Sequence, residues 1–188
     1  MQSSFTIKRH AIKGFTLVEL LIVVIILAIL AAIVVPQFAS STDDAKLSAA
    51  KSTLSNLRSA IDLYYQQHGK YPAAVASSGA TCPNSGTAGT GAADTQAALQ
   101  DQLGLYSGAD GKACSTSDAT YKFGPYLKNP TIPADPITNV STVTIVTAGN
   151  LAMVGDGTTG GWKYDNKTGK IIINNTTLDS SGLGYDKY

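Results

Sequence analysis

Acidic side chains are missing from the first eighteen residues of this 188-residue chain, although Lys8, Arg9 and Lys13 lie there. Cysteine is almost absent as well. Only Cys82 and Cys114 occur, with no Cys-x-x-Cys pair, so the usual thiol-redox and zinc patterns are excluded. Histidine is equally scarce, at His10 and His68. That scarcity leaves acid–base catalysis without its commonest group and the chain without a His–Cys metal-ligand cluster, so nothing here points to an enzyme. Charge is thin and balanced, with 14 basic against 13 acidic side chains. Such a balance gives no basic footprint for nucleic acid. No internal repeat is evident, and no glycine lies between Gly14 and Pro36.

The stretch GFTLVELLIVVIILAILAAIVVP, residues 14–36, dominates what is present. Apart from Thr16, its apolar run from Phe15 to Val35 is broken only by Glu19. About 21 residues at 1.5 Å rise span roughly 30 Å, the thickness of a bilayer core. That length exceeds a secretory signal core of about 7–15 residues. No cysteine follows closely, which rules out a lipid-modified cysteine. An uncleaved signal anchor explains the flanking charges and the apolar run. It leaves Gly14 before Phe15, and Glu19, unexplained. An isolated acid in a membrane segment costs roughly 2.5–3.5 kcal/mol on insertion scales, so it needs a partner or a route to the interface.

The segment Lys13-Gly14-Phe15-Thr16-Leu17-Val18-Glu19-Leu20-Leu21 closely resembles the leader junction of type IV pilins and type II secretion pseudopilins. The resemblance is strong from about Lys8 to Gln67. It implies a structural subunit rather than an enzyme: a prepilin with leader 1–14, cut after Gly14 by a membrane prepilin peptidase and then methylated on the Phe15 amine. It also implies a homo-oligomeric filament with the apolar helices at its centre. The implied partners are the peptidase/methyltransferase, an inner-membrane assembly platform, minor pilins or pseudopilins, and the membrane itself, with no nucleic acid. The precursor is expected as a single-pass inner-membrane protein with its C-terminal domain in the periplasm. It would then pass into a periplasmic pseudopilus or a cell-surface pilus. Glu19 is expected to pair with the Phe15 amine of a neighbouring subunit and to set axial register. Losing Lys8, Arg9 and Lys13 takes the basic count from 14 to 11 against 13 acids, a net charge of −2.

Beyond Pro36, apolar residues fall at Leu47, Ala50, Leu54, Leu57, Ile61 and Tyr64, the spacing of one helical stripe. The expectation is a single long helix over 16–67, kinked at Pro36. Residues 15–36 form its membrane and filament-core half, and 37–72 its amphipathic half. His68-Gly69 ends the helix and Pro72 prevents resumption. Residues 73–188 form a globular domain: a loop over 77–94, a short helix over 95–103 capped by Asp94 or Thr95 and stopped by Gly104, then strands over 141–148 and 152–154. A hairpin follows, with 162–165 and 170–174 flanking Asn166-Lys167-Thr168-Gly169. The fold class is therefore α+β and pilin-like, with the long helix packed on a small antiparallel sheet.

Two further stretches carry the resemblance. Gly124-Pro125-Tyr126-Leu127 with Pro133-Ala134-Asp135-Pro136 is similar to a stretch of type II major pseudopilins, although Ile137-Thr138-Asn139-Val140 departs from it. The Trp162-Lys163-Tyr164-Asp165 pattern with Thr168-Gly169 recurs in pilin-like proteins. In an oxidising compartment, Cys82 and Cys114 are expected to form a disulfide. Closing a loop of about 33 residues contributes on the order of 3–4 kcal/mol. No cofactor or metal is expected. Solvated turn acids are the simpler reading of Gly155-Asp156-Gly157 and of Asp179 to Asp186; a calcium loop is the second. The functional alternative is a membrane-anchored periplasmic binding domain that never polymerises.

Overall fold

The structure, a computed structural model, describes residues 15–188, apart from the side chains at 35–41. The expected leader, with Gly14 and the expected cleavage junction, lies outside the described residues, as does the side chain of Pro36, where the bend was expected. Two compact units are present, divided between Ser41 and Thr42. Helix α1 (Leu17–His68) is 52 residues long, matching the expected span to within a residue at each end. Gly69 ends it with φ +66° and an N–H donated to the Tyr65 carbonyl at 2.8 Å, a left-handed cap that glycine adopts without strain.

In the second unit the helical stripe carries the core. Ala50, Leu54, Leu57, Ala60, Ile61 and Tyr64 are all buried, with Leu47 partly so. They pack with Trp162, Tyr164, Ile171 and Ile173 of a three-stranded sheet and with Leu99 and Leu103 of α2 (Gln96–Gly104). Thr95 caps α2, its hydroxyl accepting the Ala98 N–H at 3.2 Å. Gly104, expected beyond the helix as its stop, is instead the last helical residue. A Cβ there would lie 2.2 Å from Pro130, so the residue is small to admit that neighbour.

Strands β1 (Tyr106–Ser107) and β2 (Ala113–Cys114) form an antiparallel pair too short to show a sequence period. Strands β3 (Val143–Val146), β4 (Trp162–Asp165) and β5 (Ile171–Ile173) form the main sheet in that order. The hairpin β4–β5 is antiparallel, as expected. β3 pairs with β4 in parallel, so the sheet is mixed rather than antiparallel. The connection 147–161 is long enough for the crossover that parallel pairing requires.

The strand expected at 152–154 is absent because side chains from the hairpin hold that segment as a loop. Lys163 donates its ammonium to the Val154 carbonyl at 3.0 Å, and Lys170 donates to that of Leu151. Asp165, fully buried, accepts the N–H groups of Gly149 and Asn150 from the crossover and of Lys167 and Thr168 from the turn. One carboxylate thus fixes both the crossover and the hairpin.

The loop after α1 is held the same way. Buried Gln102 accepts from Ala73 N–H and donates to the Val75 and Gly111 carbonyls. Asp101 accepts from the Ser77 hydroxyl and from the Thr90 and Gly91 amides. The Cys82–Cys114 disulfide joins this loop to β2, as expected from the sequence.

Candidate functional site

Residues 17–34 form the one segment among those described that is long and apolar enough to cross a membrane, with mean hydropathy 3.3. None of its window is buried within the chain. Leu17 is 82% exposed and Ile33 62%. A helix apolar on every face has no amphipathic stripe to lay on a protein core. Lipid or other apolar surface could cover it.

Its N-terminus is built around Thr16 and Glu19. The first helical bond runs from Leu20 N–H to the Thr16 carbonyl at 3.3 Å, which makes Thr16 the cap. The Thr16 hydroxyl accepts the Glu19 N–H at 3.2 Å. Glu19 Oε2 reaches back to accept the Thr16 N–H at 2.9 Å and the Thr16 hydroxyl at 2.8 Å. This is a reciprocal capping box, in which a Thr and a Glu three residues apart satisfy backbone donors that the first turn leaves open. It also sets the carboxylate at the positive end of the helix dipole. The Thr-x-x-Glu spacing carries this local partner, which stands beside the intersubunit one expected for Glu19. In the uncut chain the Phe15 nitrogen is an amide, so it carries no charge for Glu19 to meet. A free amine arises there only if the Gly14–Phe15 bond is broken.

The remaining candidate residues lie in the second unit. Asp156 pairs with Lys163. Asp179 accepts the Ser181 and Leu183 amides at 2.8 and 3.0 Å, the Ser181 hydroxyl at 2.6 Å and the Tyr188 hydroxyl. Those bonds, the Ser181 hydroxyl first, hold its carboxyl well below the ordinary range. Asp186 accepts from Gly155 N–H and the Lys187 ammonium. Among the described residues no group of three or more His, Cys, Asp or Glu is placed to hold a metal ion. The C-terminal loop is fastened by protein donors. Arg58 continues that fastening by donating to the Ile171 and Tyr188 carbonyls at 3.1 and 2.8 Å.

Comparison with known proteins bears on the first segment. Residues 9–35 match the prokaryotic N-terminal methylation motif. Over 65 residues the chain is 43% identical to the type II secretion system core protein G of Pseudomonas aeruginosa, covering 35% of this chain and 46% of that protein. Over 73 residues it is 42% identical to the type IV major pilin protein PilE1 of Neisseria gonorrhoeae, covering 39% and 44%. A fimbrial protein of Neisseria meningitidis is 42% identical over 67 residues, 36% of this chain and 39% of that one. The chain spans less than half the length of each of these relatives. No solved structure matches. Through this N-terminal segment the chain is similar to type IV pilins and type II secretion pseudopilins.

Proposed function

We propose that this protein is the structural subunit of a pilus-like or pseudopilus filament. It is inserted as a prepilin, cut after Gly14, methylated on Phe15 and polymerised through its apolar helix. The observation that carries this reading is the bare apolar helix with an acid in its first turn, placed directly after the Gly14–Phe15 junction and inside the methylation-motif match. A monomeric anchor needs the apolar run and uses the acid only to cap its own helix. In a filament the acid acquires a second use. Cutting after Gly14 frees a positive amine at Phe15, and a neighbour's Glu19 can take it up where both would otherwise lose water unpaired. Glu19 is the only glutamate in the chain.

The test is assembly of Glu19→Ala and Glu19→Gln subunits beside wild type. Removing the acid makes insertion easier, so mature subunit should accumulate in the membrane. Filaments seen by electron microscopy should be few or disordered. Ordered filaments from Glu19→Ala would overturn the pairing role of Glu19. An absence of filaments from abundant, processed wild-type subunit would instead favour the non-polymerising anchored domain.

A further inference from the structure

His68 is the last residue of α1 and the one histidine among the described residues. It packs at a joint between three parts of the second unit. Its ring lies flat on that of Tyr64, centroids 3.9 Å apart and 4° from parallel, and meets Phe123 edge-on at 5.0 Å. Nδ1 is 3.0 Å from the Tyr64 carbonyl, which can only accept, so Nδ1 carries the hydrogen. In a neutral ring Nε2 is then a lone pair, and it accepts the Ser107 hydroxyl at 3.0 Å. Both nitrogens are committed and the tautomer is fixed. Ser107 in turn exchanges backbone bonds with Phe123, at 2.8 and 3.2 Å. The imidazole therefore ties the end of α1 to β1 and, through β1, to the segment beginning at Phe123.

A second proton reverses the bond at Nε2. The ring becomes a donor facing a hydroxyl already turned toward it, and the Ser107 hydrogen must find another acceptor. The Tyr64 and Gly108 carbonyls favour the charge, and the other groups that face the ring do little to welcome it. Tyr64 and Tyr126 are neutral phenols, with Tyr126 pushed up to about 12 by burial. The Tyr126 hydroxyl is itself given to Gln67 Oε1 at 2.6 Å. Lys122 stands over the far side of the joint, 5.4 Å from the Phe123 ring centre. Asp110 is the one carboxylate that favours protonation. Burial opposes it more strongly and holds the imidazole below its ordinary value.

We propose that His68 makes this joint acid-sensitive: the neutral ring locks α1 to the β1–Phe123 segment, and protonation releases it. The folded chain binds this proton less readily than the unfolded chain. The lock is therefore whole above the ordinary histidine value of about 6.5 and weakens as pH falls from there through the lowered folded value. The core around Leu54, Leu57 and Ile61 is made of aliphatic side chains, Trp162 and tyrosines that stay neutral in acid, so the release is local.

Amide exchange on the full chain in detergent micelles, corrected for intrinsic rates, tests this. Between about pH 7.5 and about pH 5, protection of Ser107, Gly108 and Phe123 should fall roughly threefold or more, while Trp162 and Asp165 hold theirs. His68→Phe keeps the stacked ring but cannot titrate, and it should abolish the contrast. Should that variant fail to fold, the imidazole Cε1–H of the wild type can be titrated by NMR, with a midpoint expected below about 6.5. Equal protection at the two pH values, the same contrast in His68→Phe, or a midpoint at or above the ordinary value would overturn the proposal.

Discussion

Single polar side chains organise the parts of this domain that hydrophobic patterning leaves open. Asp165 is the clearest case. Burial alone would raise its pKa, but the amides of Lys167, Asn150, Thr168 and Gly149 outweigh that and hold it below the ordinary value. Its contribution is therefore present above about pH 4 and is lost as pH falls through the lowered folded value. Asp165→Asn keeps the volume but has one acceptor where two are used. At least one part-buried N–H is then orphaned. We predict a loss of about 2–4 kcal/mol, read as a drop in the denaturation midpoint with unchanged m. Tyr64 makes the opposite case. Its ring is fully buried, yet among the described residues its hydroxyl has no hydrogen-bond partner. Removing an unpaired buried hydroxyl relieves its desolvation cost. Tyr64→Phe should leave thermal stability unchanged or raise it, whereas a clear fall in Tm would mean the hydroxyl is bonded after all.

At the scale of elements, the helices and the hairpin were legible and the loops were not. The stripe from Leu47 to Tyr64, the Gly69 stop, the Thr95 cap and the Asn166–Gly169 turn each have a local cause, and all appear where the residues place them. The parallel pairing of β3 has none. It depends on Asp165, Lys163 and Lys170 seizing the crossover, an arrangement between residues distant in sequence. The loop over 77–94 is likewise ordered from outside, by Asp101, Gln102 and the disulfide. The cysteines are 32 positions apart. Reducing them, or Cys114→Ser, should cost on the order of 3–4 kcal/mol and loosen the β1–β2 pair first. Peptide mapping without reductant should recover Cys82 and Cys114 linked. Both thiols free in exported protein would contradict the pairing.

At the scale of the whole molecule the chain divides into two units with opposite solvent requirements. From Thr42 onward there is an internal core, with Trp162, Tyr164 and the isoleucines of β5 enclosed against α1. In the other unit, none of the described window Leu17–Val34 is buried within the chain. The sequence announced that contrast in the run from Phe15 to Val35. It also carried the Thr16–Glu19 box, which links the acid to its own helix before any neighbour is met. The proposed second use of Glu19, pairing with a neighbour's amine, turns on one chemical event, the opening of the bond before Phe15. The intact mass of the subunit recovered from membranes and from filaments tests that event most directly. The account predicts a chain that begins at Phe15 and is one methyl group heavier than its residues. A chain that still starts at Met1, or one cut beyond the apolar run, would contradict it.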